Sequence, residues 1–521
     1  GAARGRKKKG AFSMKKAMKK LMAALLAVAM VCAMAIPAWA AGTGTGTGTA
    51  ASAAPAGTTT YTITIDNPVG TYEAYQIFSG DLHDGTLSNV VWGSGVTADG
   101  QTYFGDAKAK AAALKTDADA KAFAAEVGRY LSTTTSGTYD AGKITDLSAG
   151  YYLVKNKAGS VGENATYTSF ILAVVKDVKV SPKGDKPTLV KKVKDANDTE
   201  GSITDWQDSA DYDIGDDVPF KLAAKIANNF DDYKTYKFVF HDEQSAGLTF
   251  KPDTVKVTVG GHKLSAGDYT VETTGLNDDC TFHVVIENLK GKTGAAAGAD
   301  VVVEYKSTLN ENAIIGSKGN PNEAYLDYSN NPYDTNGTTT TPKDKVTVFT
   351  FKVVANKVDG DTKQSLKGAA FALYKMDKDS AWQLVGLCNA TENEGNYTLE
   401  NAERTDFAWE GLDDGEYMIK EIITPAGYNT IADQTFTVAA RHDTEADDPK
   451  LTVLTGNKIT GDITFTVTPA DGALATTIEN NRGTTLPGTG GIGTTIFYVV
   501  GGGLMVAAAI LLITKKRMEN R

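Results

Sequence analysis

Cysteine is almost missing from this chain. Three stand among 521 residues; Cys32 lies in an apolar run near the N-terminus, so Cys280 and Cys388 alone remain, in different predicted domains. A disulfide framework is therefore excluded as the main brace. Histidine is scarce too: the five are scattered without metal-ligand spacing, and neither a metal nor a cofactor is expected. Positive charge is outnumbered, with 53 Lys and Arg against 63 Asp and Glu and a formal charge of −10. That balance argues against nucleic acid and anionic membrane surfaces as partners. Phosphate loops, Gly-x-Ser-x-Gly and zinc motifs do not occur. The acidic run Asp205 to Asp217 lacks calcium-loop spacing and reads as a solvated face. Nothing nominates a carboxylate pair for glycoside hydrolysis, and turnover chemistry is not expected.

Long apolar runs occur near the two ends. Lys15, Lys16, Lys19 and Lys20 precede the run Leu21 to Ile36, and Ala38-Trp39-Ala40 follows. This is the pattern of a secretory signal peptide cut between Ala40 and Ala41. Translation is expected to start at Met14 or Met18, the first thirteen residues reading as upstream sequence. Cys32 follows Val31, a poor lipidation context. At the other end, Ile492 to Ile513 has the ~20 apolar residues that cross a bilayer as a helix. Lys515, Lys516 and Arg517 would hold that end on the cytoplasmic side. The chain upstream of the helix is thus placed outside the membrane, and Leu486-Pro487-Gly488-Thr489-Gly490 stands just before it.

Between the ends, Gly-Thr repeats and Ala, Pro and Thr make residues 42–60 a linker without enough apolar surface to pack. Alternating runs such as Tyr61 to Ile65, Gly150 to Val154 and Phe170 to Val175 predict strands, and the Ala- and Lys-rich stretch Asp106 to Leu131 predicts one helix. Short strands broken by Gly, Asn and Asp continue to Asn480, with the polar stretch Ser329 to Lys345 as a further linker. The expected fold class is all-β: three tandem immunoglobulin-like β-sandwiches, the first decorated with a helix, between a signal helix and a transmembrane helix. The expected segments are 1–41 (upstream extension and signal peptide), 42–60 (linker), 61–182, 183–343 and 344–483 (the three sandwiches), and 484–521 (the anchor).

Polar groups on apolar strand faces mark where chemistry could sit. Period-two alternation puts Lys357 with Phe351, Val353 and Ala355, and Asn480 with Ile478, whereas Asn481 turns the other way. Glu421 falls in the apolar run Tyr417 to Tyr428. An ordinary strand-end lysine would snorkel to solvent. In the second domain Lys191 shares its face with Leu189 and Val193, while Lys192 takes the other face. Asn322 alternates with Ala324, Leu326 and Tyr328, which favours it over Asn320. Asp242 ends the strand Phe238 to Asp242, where a turn-capping role is the plain alternative. The first domain carries no lysine on its opening strand, so no such set is expected there.

These residues carry a resemblance. Leu-Pro-x-Thr-Gly before an apolar anchor is similar to the sorting signal of Gram-positive surface proteins, implying that a sortase cleaves between Thr489 and Gly490 and passes the Thr489 acyl group to an amine. Lys357-Val-Asp, Leu366 to Phe371 and Tyr417 to Tyr428 resemble the collagen-binding B-type domain of surface pilins. Its glutamate motif is matched with Met418-Ile419-Lys420 in the middle. Phe238 to Asp242 with Gly247 to Phe250 resembles the aspartate-bearing strand of middle pilin domains. In that family a lysine and an asparagine condense to an isopeptide bond, ammonia leaves and an acid assists. The resemblance implies these roles for Lys357, Asn480 and Glu421, and for Lys191, Asn322 and Asp242. Burial would leave the amine neutral and the acid protonated.

Val178-Lys-Val-Ser-Pro-Lys183 resembles the pilin motif of polymerised shaft subunits, with Ser181 where tyrosine is usual. Tyr75 to Phe78 and Gly150 to Val154 also look like shaft-pilin segments. The resemblance implies that Lys183 attacks the Thr489 acyl group of another subunit, with Lys186 as the neighbouring fallback. Implied partners are pilus-specific and housekeeping sortases, identical subunits, minor tip and base pilins and peptidoglycan, with host extracellular matrix as an optional ligand. A monomeric wall-anchored adhesin would share the anchor and the isopeptide sets, and a wall-anchored hydrolase is the third alternative.

Overall fold

The computed structural model describes residues 59–163, 165–182, 185–483 and 492–519. The signal segment with Ala40 and Ala41, the linker to residue 58, Lys183 and the signal Leu486, Pro487, Thr489 and Gly490 lie outside the described residues. The described residues fall into two compact units, 59–161 with 168–182, and 162–167 with 185 onward.

The first unit is a two-sheet sandwich. One sheet runs Thr86–Trp92, Tyr72–His83, Gly150–Asn156, Ser169–Val174; the other runs Thr138–Asp140, Lys143–Leu147, Tyr61–Ile65, Val178–Val180. Strand alternation buries Ile63, Ile65, Tyr72, Ala74, Tyr152 and Val154 between them. Tyr61–Ile65 and Val178–Val180, the first and last strands, pair in parallel. The single helix expected over Asp106 to Leu131 is instead two, Ala107–Ala113 and Asp117–Val127, preceded by Ala98–Phe104. Asp106 caps one through the Ala109 amide, and a Thr116/Asp119 capping box starts the other. These caps satisfy amide donors that a continuous helix would use differently.

The second unit holds two sandwiches, each with its own core. In the middle sandwich, the five-strand sheet runs His262–Lys263, Leu248–Val259, Asp300–Leu309, Asp217–Lys225, Thr188–Val193. It faces a sheet containing Phe238–Gln244, Phe282–Ile286 and Asn320–Ser329. Asp344–Phe349, expected to open the third domain, belongs to this sheet, pairing antiparallel with Asn320–Ser329 and parallel with Ser209–Asp211. In the C-terminal sandwich, Phe351–Asp359 lies between Asp406–Leu412 and Ala473–Asn480, the latter in parallel. The opposing sheet carries Ala370–Met376 beside Gly415–Ile423. The last helix, Ile492–Glu519, contains Phe497–Lys516, long and apolar enough to cross a membrane.

Candidate functional site

Three lysines are buried among the described residues: Lys191, Lys357 and Lys375. Water cannot solvate their ammonium groups, so each needs either a counter-charge or a lost proton.

Lys191 sits on Thr188–Val193, at the edge of the five-strand sheet, and points into the core with no exposed surface. Its Nζ lies 2.5 Å from Asp242 Oδ2 and 3.0 Å from the Tyr305 hydroxyl. Tyr305 Oη also donates to Asp242 Oδ2 at 2.7 Å, and Asn322 Nδ2 donates to Tyr305 Oη at 2.9 Å. Lysine, acid and amide thus meet around one tyrosine hydroxyl. Phe220 and Tyr305 flank the amine at 5.7 and 5.5 Å from their ring centres. Burial lowers the Lys191 pKa against the pull of Asp242. Burial likewise raises that of Asp242 against the pull of Lys191. Both shifts favour a neutral amine beside a protonated acid.

The register explains the convergence. Asp242 pairs with Ala324 and Gln244 with Asn322, so acid and amide lie on one face, two residues apart along adjacent strands. Asn320 is equally buried but differently employed: its Oδ1 accepts from the Ile314 amide and its Nδ2 donates to the Ile314 and Val348 carbonyls. Gly247 makes room for it, since a Cβ there would lie 2.3 Å from Asn320 Oδ1. The Asn322 Oδ1 has no hydrogen-bond partner.

In the C-terminal sandwich, Lys357 lies beside the parallel strand Ala473–Asn480 and donates to the Ile478 and Val358 carbonyls at 3.1 and 3.2 Å. Asn480 is fully buried and Asn481 exposed. Asn480 Nδ2 donates to Glu421 Oε1 and Oε2 at 2.9 and 3.0 Å and to the Asn429 carbonyl at 3.0 Å. Its Oδ1 is also unpartnered. Burial lowers the Lys357 pKa to about 8, with Glu421 the first opposing charge. The turn after Glu421 holds the acid in place: Thr424 Oγ1 and the Ile431 amide each donate to Glu421 Oε2 at 3.1 Å. Gly427, at φ +88°, lets that turn close, and the Tyr428 hydroxyl donates to Asp359 Oδ2 at 2.5 Å.

Lys375 is the contrasting case. Its Nζ lies 2.6, 3.0 and 3.2 Å from Asp213, Asp198 and Asp413. Burial pulls its pKa down, but the three carboxylates win and raise it. This lysine stays charged and joins the two sandwiches. Asp211 lies beside His442 and accepts from the Asp414 amide, and Asp213 accepts from the Asp413 amide. Asp208, Asp211 and Asp213 are thus largely sequestered in a joint; the solvated face expected over Asp205 to Asp217 does not describe them.

Sequence reasoning did not single out Tyr305. Its signal was its place with Val301 and Val303 on the inward face of Asp300–Leu309, where a buried hydroxyl needs a partner. It also did not bring His241 and His283 together; pairing of their strands does so, with Asp278 and Cys280 alongside. In the first unit, Val178–Val180 leads toward Lys183, and Ser181 Oγ donates to Asp66 Oδ2 at 3.2 Å.

Either lysine set can support condensation. In such a step the lysine nitrogen would add to the asparagine Cγ, the Cγ–Nδ2 bond would break, and ammonia would leave carrying the proton given up by the amine. Fixing the reactants together can remove on the order of 7–11 kcal/mol of entropic barrier.

Residues 214–332 match the Gram-positive pilin backbone subunit 2, Cna-B-like domain; residues 351–450 match the SpaA prealbumin-like fold domain; residues 478–520 match the LPXTG cell wall anchor motif. The chain is 26% identical over 269 residues to the trypsin-resistant surface T6 protein of Streptococcus pyogenes serotype M6. That match covers 47% of this chain and 44% of the relative, so the chain spans under half the relative's length. The solved T6 backbone pilin of that serotype, described as a modular three-domain structure, superposes with a TM-score of 0.50 at 18% identity, covering 82% of this chain and 98% of that one. This likeness is one of fold.

Proposed function

We propose that this chain, which belongs to the Gram-positive backbone pilins and carries an LPXTG cell-wall anchor, is the shaft subunit of a covalent surface fibre. A pilus sortase cleaves after Thr489 and passes its acyl group to Lys183 of the next subunit. A housekeeping sortase attaches the final subunit to peptidoglycan, and minor pilins occupy tip and base. Two self-made bonds, Lys191 to Asn322 and Lys357 to Asn480, brace the shaft, with Asp242 and Glu421 as assisting acids. The chain is its own substrate in these steps and turns nothing over.

The observation that carries the bracing is the pair of buried lysines, each grouped with a buried asparagine and an acid. Intact mass of the chain should fall by two ammonias, and Lys191→Ala or Lys357→Ala should each restore one. A mass equal to the uncrosslinked sequence overturns both bonds. For the fibre, a wall digest should contain a branched peptide joining Thr489 to Lys183. Thr489 found only on peptidoglycan would replace the shaft reading with that of a monomeric adhesin.

A further inference from the structure

We propose that His241, Asp278, Cys280 and His283 form a structural Zn²⁺ site on the middle sandwich. His241 and His283 are directly opposed on the antiparallel strands Phe238–Gln244 and Phe282–Ile286, with ring centres 4.0 Å apart. The loop entering the second strand supplies the other donors. Asp278 Oδ2 lies 2.7 Å from His241 Nδ1 and 3.0 Å from His283 Nε2, and Cys280 Sγ lies 4.0 Å from His241 Nδ1. All four donor atoms lie within 4.8 Å of one another. Tetrahedral zinc, with bonds of about 2.0–2.3 Å, requires donors about 3.3–3.6 Å apart. Small side-chain adjustments reach that spacing.

The surroundings are those of a ligand set held in place. Glu272 Oε2 is 3.8 Å from His283 Nδ1, the nitrogen turned away from the cluster, within ion-pair reach of the ring. Tyr325 donates to Asp278 Oδ2 at 2.9 Å and stacks on His241 with 4.4 Å between ring centres. Asp278 keeps 28% of its side chain exposed, which leaves an entry path, while His241 and His283 are mostly covered. Two imidazoles, a thiolate and one carboxylate suit zinc; calcium and magnesium take oxygen sets. Four protein donors close the coordination sphere, so the role is structural. Binding releases the Cys280 thiol proton to solvent. The site also gives a use to the one cysteine of this sandwich in an exported chain.

The site would clamp the strand that carries Asp242. His241 is the preceding residue, and the Thr281 amide, next to Cys280, donates to the Asp242 carbonyl at 2.7 Å.

The test is titration of the metal-stripped full chain in detergent with Co²⁺, followed by Zn²⁺ competition. One equivalent of Co²⁺ should give tetrahedral absorption with a thiolate-to-metal charge-transfer band, and Zn²⁺ should bleach it. Cys280→Ser should abolish the charge-transfer band and His241→Ala weaken binding at least tenfold, whereas Cys388→Ser should change neither. Circular dichroism of each metal-free variant checks folding, and a variant that fails it is replaced by His283→Gln. Absence of a thiolate band in the folded wild-type chain, or binding unchanged by both Cys280→Ser and His241→Ala, overturns the proposal.

Discussion

The Lys191 and Lys357 sets contain the same three chemical groups, an amine, a carboxyl and an amide, wired in opposite order. Around Lys191 the acid holds the amine, and the amide is reached through Tyr305. Around Lys357 the acid holds the Asn480 amide nitrogen, and the amine rests on backbone carbonyls. The difference teaches that, if both sets form the proposed bonds, the acid need not touch one particular reactant. It must stand in a dry pocket where a proton can travel from the attacking nitrogen to the departing one. A tyrosine hydroxyl can relay it in the first case, and the carboxyl reaches the leaving nitrogen directly in the second.

Removing each acid tests this most severely. Asp242→Ala should abolish the middle-sandwich ammonia loss and strip the Lys191 amine of its main partner. The proposed crosslink, closing about 130 residues, would be worth roughly 5 kcal/mol in a chain-entropy treatment. Leaving the buried neutral amine without its hydrogen-bond partner would cost about 1–3 kcal/mol more. Intact mass and thermal unfolding read both effects. Glu421→Ala should abolish the second ammonia loss with a smaller fall in stability, because Lys357 keeps its two carbonyl contacts. Equal destabilisation by the two variants would break the contrast.

Tyr305→Phe sharpens it further. Middle-sandwich bond formation in refolded chain should slow by roughly 100-fold, the lower range for a positioned proton-transfer group, while the C-terminal bond forms at its usual rate. Time-resolved mass spectrometry after refolding separates the two; an unchanged rate in the middle sandwich would remove the relay.

The smallest effect concerns Lys375 and the joint around it. Burial lowers the His442 pKa, but hydrogen bonds to Asp195 and Asp211 outweigh it and raise the value from 6.5 to about 9. Asp414 is raised to about 7 and Asp216 to about 6, burial leading in both. A raised folded-state pKa adds stability that is complete below the unfolded value and lost as pH rises through the folded one. The carboxyl contributions therefore fade from about pH 4 to 7 and that of His442 from about 6.5 to 9. Stability should fall by roughly 1–3 kcal/mol across that span, and His442→Gln should flatten its upper half. A thermal midpoint flat from pH 6.5 to 9 in the wild type would remove His442 from this account.

Much of this is legible in the sequence. Lys191, Asn322, Lys357 and Asn480 announce themselves because alternation places them among Val, Ile, Leu and Ala, where a polar side chain must be satisfied locally. Tyr305 does not, since a tyrosine on an apolar face is ordinary core. Lys375 was invisible for another reason: Asp198 and Asp213 lie more than 150 residues away in sequence, and only the packing of two sandwiches brings them in. His241 and His283 needed the strand register. Asp344–Phe349 was misplaced because it runs almost directly into Phe351–Asp359, with no turn signal to separate a strand closing one sandwich from a strand opening the next.

The parallel neighbours Phe351–Asp359 and Ala473–Asn480 acquire a mechanical meaning once a chain is pulled from its ends. A bond from Lys357 to Asn480 would pass tension from the entering strand straight to the departing one, leaving the intervening sheets unloaded. In the middle sandwich, a bond from Lys191 to Asn322 would leave residues 323–349 in the path of the load. Their antiparallel pairing, from Asn320↔Val348 to Ala324↔Asp344, would be the extensible element between two taut crosslinks.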